Sequence, residues 1–363
     1  MRIIHSLEGK SWSGGQQQAL FLAAGQAKLG HEVLLMCQLG SELEKRAKML
    51  GINTKPHDYR KELHPVSIRG LLEIYDAFRP HVVNVHRAWA HTQWFVAALL
   101  RRFHGLVITR RVLFQTGMNP LSLLKYRSPV VRGLIAVSRA VAERLECMGI
   151  KPRRIVTVYP ATDTSLFDSS KKHDLNGPWQ VPEGVPVALM VGNFNVNKGH
   201  LIVLDAFLKI ASKWPQLHLV IAGHGTESGK LAAAVQKGGI TDRIHLLGFR
   251  SDVAALFSRA SFSLNASFEE GFSGTIRESL AMGVPVIASD ISSNVELALS
   301  VPLLFFEAGS SRSLADKIIE MRDGSVTNIE RGALREKTVR AFSVDTMVKK
   351  TLAAYQSFRI AGT

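Results

Sequence analysis

Apolar residues in this chain come in short continuous blocks, and the blocks alternate with segments of helical period. Residues 3–7 read as a buried strand. Ser13-Gly14-Gly15 reads as a glycine-rich loop, 16–28 repeat their apolar positions at helical spacing and stop at Gly30 as a C-cap, and 32–36 form a second strand. Strand, glycine loop, helix and strand make one βαβ unit. The pattern recurs with strands at 82–85, 106–109, 134–137 and 155–158; Ser138 then serves as N-cap to a helix over 139–148. Unlike alternating patterns, continuous apolar strands suit a parallel sheet covered on both faces.

Residues 169–184 break the rhythm. They are polar and carry Lys171, Lys172, Gly177, Pro178 and Pro182, the composition of an interdomain linker. The alternation then resumes. Strands are predicted at 186–192, 217–222, 244–247, 261–265, 284–288 and 303–305, and helices at 198–212, 227–237, 251–258, 274–282 and 311–321. A last helix follows Ser343 and runs over 344–358. A length of 363 residues suits two cores better than one. The expected fold class is α/β, with two doubly wound Rossmann-like domains facing each other across a cleft. Residues 1–168 form the first, 169–184 the linker and 185–342 the second, and a C-terminal helix in 343–363 packs back toward the first. A ligand is expected in the crevice outside the strand C-termini.

Composition narrows the class. No run approaches the roughly 20 apolar residues that span a bilayer, and the start, with Arg2, Glu8 and Lys10, is not a signal peptide. Two cysteines, Cys37 and Cys147, are too few for a disulfide framework or a structural zinc site, which fits a reducing cytoplasm. The net charge is +15, and it is lopsided: residues 1–170 hold 24 Lys and Arg against 12 Asp and Glu, and the remainder holds 21 against 18. The densest stretch is 101–154. Such a face suits nucleic acid, anionic lipid or a phosphorylated acceptor, or is simply solvated.

The local signal richest in chemistry is 268–278, Phe-Glu-Glu-Gly-Phe-Ser-Gly-Thr-Ile-Arg-Glu, between a strand and a helix. Glu270 falls in the loop and Glu278 one to two turns into the helix. The glycines allow close backbone approach, and free amides near 272–274 suit an anionic or hydroxyl-rich group. Two carboxylates at this separation can accept from two sets of vicinal hydroxyls, one on a sugar and one on a ribose. The plainer alternative is a helix start decorated with favourable acidic residues.

Glu270, seven residues, Glu278 and then Ala-Met-Gly-Val-Pro-Val-Ile-Ala-Ser resemble the signature of family 4 retaining glycosyltransferases (glycosyl transferases group 1) of the GT-B fold. The likeness covers nearly the whole chain. The Gly14-Gly15 loop is similar to that family's N-terminal Gly-Gly loop, and 82–86 to its strand ending in an active-site histidine. Ile135-Ala136-Val137-Ser138 matches the strand before its linker, and Ile221-Ala222-Gly223-His224-Gly225 and Leu247-Gly248-Phe249 match its base-holding segments. The resemblance implies that Glu270 holds hydroxyls of the donor sugar and that His86 lies beside the transferred sugar. It implies that backbone at Gly271, Phe272, Ser273 and Gly274 supports sugar and phosphates, and that Glu278 takes the ribose. Lys198, with the Gly14 and Gly15 amides, would stabilise the leaving diphosphate, and Gly223 and Phe249 would border the base. Glu270, His86 and Lys198 are thus the catalytic candidates. One position departs from the pattern: the family's usual Arg after the first Gly of 192–199 is Asn193, a hydrogen-bonding group without charge. Three readings follow: another basic residue such as Arg250 stands in for it, the site is weaker, or the phosphates sit differently.

The expected activity is retaining transfer from a nucleotide-diphosphate sugar to an anionic glycan or lipid-linked acceptor of the lipopolysaccharide, capsule or exopolysaccharide type. The nucleotide sugar is a co-substrate, and no other cofactor and no metal is expected, since no Asp-x-Asp motif occurs. The acceptor is expected on the basic first half, at Arg110, Arg111 and Lys125, with the protein peripheral at the cytoplasmic face of the inner membrane. Trp89 and Trp94 flank this region, either as core aromatics or as sugar or membrane contacts. The competing readings are a sugar-nucleotide epimerase of the same fold and a basic nucleic-acid-binding protein. The latter lacks any zinc finger, aromatic RNP strand or basic zipper, and no nucleic-acid partner is expected. The first loop also lacks the full G-x-G-x-x-G spacing of a dinucleotide oxidoreductase.

Overall fold

A computed structural model describes residues 1–112, 120–179, 181–227, 229–324 and 330–360, with 120–122 described in backbone only. The chain divides into two compact units, Met1–Ala161 with Val344–Thr363, and Thr162–Ser343.

The first unit runs β1 (Arg2–Ser6), α1 (Gly14–Lys28), β2 (Glu32–Gln38), α2 (Glu42–Met49), β3 (Thr54–His57), α3 (Pro65–Phe78), β4 (Val82–Val85), α4 (Ala88–Arg101), β5 (Leu106–Arg110), α5 (Pro120–Arg127), β6 (Val131–Ala136), α6 (Arg139–Cys147) and β7 (Ile155–Thr157). Its seven strands are all parallel, in the order β3-β2-β1-β4-β5-β6-β7. The second unit runs β8 (Val187–Val191), α7 (His200–Ile210), β9 (His218–Ala222), α8 (Gly229–Gly238), β10 (Ile244–Leu246), α9 (Val253–Ser258), β11 (Phe262–Asn265), α10 (Gly274–Ala281), β12 (Val286–Ser289), α11 (Ser292–Ala298), β13 (Leu304–Phe306), α12 (Ser311–Arg322) and α13 (Arg331–Phe342). Its six parallel strands are ordered β10-β9-β8-β11-β12-β13.

Both orders reverse once, between β1 and β4 in the first sheet and between β8 and β11 in the second. Connections leave a reversal in opposite directions and open a crevice at the strand C-termini. The loops after β4, β8 and β11 hold His86, Lys198 and Glu270, and the helix after β1 opens at Gly14, so both reversals coincide with candidate chemistry.

The central strands are mainly apolar because both faces are covered; Ile3, Ile4, Val82 and Val83 are all fully buried, and so are the polar His5, Ser6 and Asn84 of β1 and β4. The sequence pattern does not predict β3. Its Lys55 and Pro56 are poor strand residues, and they are tolerated because β3 pairs on one side only. Helix α1 starts at Gly14, so Gly14 and Gly15 form its first turn rather than a loop. Helix α7 starts at His200 instead of 198, because Gly199 takes φ +69° and a Cβ there would meet the Ala266 carbonyl oxygen at 2.1 Å.

The division between units falls at 161/162, ahead of the segment 169–184. That segment is counted with the second unit, where Phe167 and Val181 are buried in a core with Leu189, Val220 and Phe257, and Leu175 and Trp179 pack against it. Helix α14 (Val344–Ser357) belongs to the first unit. Its Met347, Val348 and Tyr355 are buried with Ile3, Leu22 and Val107, and Val348 lies so close to Gly25 of α1 that a Cβ there would be 2.5 Å from it. Cys37 is buried and Cys147 exposed.

Candidate active site

In the second unit, β11 ends at Asn265 and the chain turns through 266–273 into α10. Glu270 is folded back under this turn, its side chain only 10% exposed. Oε1 accepts from Lys198 Nζ at 2.9 Å, Ser267 Oγ at 2.6 Å and Asn265 Nδ2 at 3.2 Å. Oε2 has no donor among the described residues. Burial alone would raise the Glu270 pKa, but the Lys198 charge with the bonds from Ser267, Lys198 and Asn265 outweighs it, and the net shift is downward. The carboxylate is therefore ionised, with one oxygen saturated by the protein and the other left to accept from a ligand.

The support behind it is polar and fully buried. Asn294 Nδ2 donates to Asn265 Oδ1 at 3.3 Å and to the Ser289 backbone oxygen at 3.0 Å, and Ser289 Oγ donates to the Ser267 carbonyl at 2.6 Å. Asn265, Ser267, Ser289 and Asn294 are residues that the motif reading missed. Three belong to strands or helices whose polar positions look like interruptions in an apolar pattern, and only their convergence gives them a role.

Helix α10 has Ser273 at its N-cap but no side-chain cap. The amides of Gly271, Ser273 and Gly274 have no backbone or side-chain partner among the described residues, which leaves donors at the positive end of a helix. The Phe272 ring is 8% exposed and packs edge-on against Phe342 at 5.6 Å. The Glu278 side chain makes no hydrogen bond or ion pair among the described residues, and the residue is half-buried. Its pKa is raised, chiefly by burial, with the Arg277 charge opposing. Arg277 is buried at 4% exposure, donates to the Ser273 carbonyl at 3.1 Å and to Thr162 Oγ1 at 3.0 Å, and has its pKa lowered to about 10 by burial. It is a cation built into the motif between the two carboxylates.

The loops after β8, β9 and β10 converge. Gly223 has φ +149°, and a Cβ there would meet the Gly192 carbonyl oxygen at 2.1 Å, so glycine alone lets them approach. Asn193 Oδ1 accepts from the His224 amide at 3.1 Å and brackets the two loops together. Phe249 is 60% exposed, with its ring stacked on His224 at 4.2 Å and 11°. Arg250 does not bring a free charge to Asn193. Its guanidinium is 7% exposed, forms a fork on Asp252 at 2.8 and 2.5 Å, and donates to the Pro178 carbonyl at 3.0 Å. That pairing holds Asp252 down to about 2.

In the first unit, His86 directly follows β4 and is 6% exposed. Its Nε2 lies 3.0 Å from His5 Nδ1 and its Nδ1 lies 3.2 Å from an Arg111 guanidinium nitrogen; His5 Nε2 lies 2.7 Å from Gln26 Oε1. Burial, then the Arg111 charge, then His5 hold His86 well below the usual histidine range, and burial lowers His5 to about 4. The Arg111 side chain runs along α1, its Cδ 3.5 Å from where a Gly15 Cβ would stand. Helix α1 has no side-chain cap, whereas Glu8 caps α4 by accepting from the Trp89 and Ala90 amides at 3.2 and 3.1 Å.

Arg110, Arg111 and Lys125 do not act as one set. Arg111 turns to His86, while Arg110 and Lys125 both lie near His91 and lower its pKa further after burial has done so. Arg110 donates to the Val112 carbonyl at 3.0 Å, and Lys125, 15% exposed, donates to Glu62 at 2.9 Å and Thr92 at 2.6 Å. Several arginines of 101–154 serve inside the unit as caps on carbonyls at helix ends: Arg127 on Met148, Arg132 on Phe358, and Arg154 on Tyr126, Arg127 and Ser128, with a further bond to Val131 at the start of β6. Trp94 is core, 1% exposed with Nε1 donating to Ser6 Oγ at 2.8 Å, while Trp89 is 40% exposed. Among the described residues no group of three or more His, Cys, Asp or Glu is placed to hold a metal ion, and no helix is long and apolar enough to cross a membrane.

Comparison with known proteins places this geometry. Residues 12–166 match the family described as Glycosyltransferase Family 4, and 185–323 match Glycosyl transferases group 1. The chain spans about half the length of the first curated relatives it matches. A longer match is the lipopolysaccharide core biosynthesis glycosyltransferase LpsE of Rhizobium meliloti, 23% identical over 294 residues, covering 80% of this chain and 79% of that one. Among solved structures, a glycosyltransferase from Rickettsia africae aligns with a TM-score of 0.85 at 21% identity, over 99% of both chains. HepE from Anabaena, in complex with UDP and glucose, aligns at 0.81 and 17% identity over 98% of this chain and 100% of that one. These two likenesses bear on fold alone, and the fold is that of the GT-B glycosyltransferases. The two family matches lie over the two units that carry His86 and then Glu270 and Glu278, so the first unit belongs to Glycosyltransferase Family 4 and the second to Glycosyl transferases group 1.

Proposed function

We propose that this enzyme moves a sugar, with retention of anomeric configuration and without a metal, from a nucleoside diphosphate to an anionic cell-envelope acceptor. The observation that carries this reading is the Glu270 carboxylate, ionised, with Oε1 held by Lys198, Ser267 and Asn265 and Oε2 open. A carboxylate so held is a hydroxyl holder, since its nucleophilicity is quenched by three donors. Negative charge developing on the leaving diphosphate is stabilised by Lys198 and the uncapped amides of α10, and by the uncapped amides of α1. The unpaired Glu278 accepts from the ribose, and the exposed Phe249 ring borders the base. The acceptor attacks on the face from which the nucleotide leaves, and the departing phosphate takes its proton. His86, buried and hydrogen-bonded at both nitrogens, lies beside the sugar.

UDP-sugars are the first donors to test, since the HepE structure holds UDP and glucose. The lipopolysaccharide role of LpsE and the surplus of 12 positive charges in residues 1–170 support an anionic, lipid-linked acceptor and a peripheral position at the cytoplasmic membrane face. The test is a thermal-shift and hydrolysis panel over nucleotide sugars, with and without EDTA. Stabilisation by one donor and slow, EDTA-insensitive release of the nucleoside diphosphate support the reading. Release that EDTA abolishes removes the metal-free mechanism, and a donor isomerised rather than hydrolysed makes the enzyme an epimerase.

A further inference from the structure

The polar chain through the core of the first unit has a direction. An arginine guanidinium only donates. Arg111 therefore requires His86 Nδ1, 3.2 Å away, to be the lone-pair nitrogen. A neutral imidazole then carries its proton on Nε2, which donates to His5 Nδ1 at 3.0 Å. His5 in turn carries its proton on Nε2 and donates to the Gln26 carbonyl oxygen at 2.7 Å. The cation at one end and the amide oxygen at the other specify the same tautomers for both rings; the reverse polarity sets two donors face to face at Arg111. Burial keeps both rings neutral, so the chain stays in this state through ordinary pH. Gln26 and His5 are fully buried, and the amide of Gln26 is set against the hydroxyl of Tyr355 on α14, which itself accepts from Asn84 at 2.8 Å.

We propose that Gln26 and His5 are positioning residues of this transferase: through His86 they hold the Arg111 cation against the Gly14–Gly15 end of α1, where it serves the donor diphosphate rather than the acceptor. His86 is then a support whose two ring nitrogens are both in use. Only the diphosphate part of this inference rests on the proposed function; the tautomers do not.

Two experiments test it. The first uses unmodified protein labelled with 15N-histidine, with His5→Asn and His86→Asn spectra for assignment. Both rings are expected as neutral Nε2–H tautomers from pH 7.5 to 5.5. An Nδ1–H tautomer at either ring, or titration of either within that window, overturns the chain. The second is a double-mutant cycle read by UDP binding and donor KM. Arg111→Gln is expected to weaken UDP by about 10- to 100-fold, as loss of a charge-assisted bond does. Gln26→Leu, which strips the acceptor from His5, is expected to raise donor KM about 10-fold while leaving acceptor KM in place, and Gln26→Glu to recover most of that loss. In the Arg111→Gln background Gln26→Leu should add nothing. Additive effects, or a loss confined to acceptor KM, overturn the positioning role. Wild-type protein that binds no nucleotide refutes the proposed function instead, and the tautomer measurement still decides the chain.

Discussion

Replacing Glu270 with Gln separates fold from chemistry at one atom. The amide keeps an oxygen for Ser267 and Asn265 but removes the charge facing Lys198 at 2.9 Å. Lys198 is 37% exposed, so solvent screens the ion pair, and its loss with one weakened bond costs about 1–2 kcal/mol. In a unit of this size that lowers the unfolding midpoint by roughly 2–8 °C. The effect on transfer is larger, because the position of Oε2 now carries an NH2 that donates where a sugar hydroxyl must also donate. A lost charge-assisted bond together with an opposed donor predicts a fall in kcat/KM of about 100-fold or more. The assay is steady-state transfer beside thermal unfolding, with UDP affinity as control, since UDP has no sugar to lose. A variant with kcat/KM within threefold of wild type refutes the role of Oε2. One that loses UDP binding in step with transfer shows that Glu270 supports the site as a whole instead.

Glu278→Ala should weaken UDP about 10-fold and reduce the preference for UDP over its 2′-deoxy analogue, both measurable by calorimetric titration; an unchanged preference takes the ribose away from Glu278. Acid should destabilise the first unit. His5 and His91 have pKa values lowered by burial to about 4 and about 3, so the unfolded chain takes up protons first as pH falls below 6.5. Their stabilisation is present above pH 6.5 and drains away toward pH 4 and 3, about 2 kcal/mol each between pH 7 and 5. Thermal unfolding at pH 7 and 5 should show the drop, and His91→Phe should shrink it; a pH-independent midpoint refutes it. Tyr355→Phe strands the fully buried Asn84 donor and should cost about 1–3 kcal/mol, read by urea unfolding followed by the fluorescence of Trp94. A loss under a few tenths would mean that Asn84 finds another acceptor.

The legible parts of this protein were those written in local periodicity. Continuous apolar blocks announced parallel strands because a sheet covered on both sides needs no alternation, and glycine, serine and acidic residues beside them marked the helix starts. Edge strand β3 escaped because Lys55 and Pro56 break the pattern that only a central strand has to keep. The same local logic exposed Glu270 and Glu278 as carboxylates in a strand-to-helix turn. What the sequence could not decide is partnership between residues far apart along the chain. Arg110 and Arg111 are neighbours in sequence, yet one turns toward His91 and the other toward His86, since successive residues leaving a strand face opposite sides. Arg250 reads as a spare cation until Asp252 and Pro178 are seen to hold it. Gln26, His5 and His86, on the first unit's first helix, its first strand and the end of its fourth strand, have no common signature; they become one hydrogen-bonded chain only once burial denies each of them water and each must find the other. Local sequence thus set the elements and the carboxylate motif, whereas the tertiary structure set which charges are spent, which are held, and which atoms remain open to a ligand, because desolvation acts on neighbours in space.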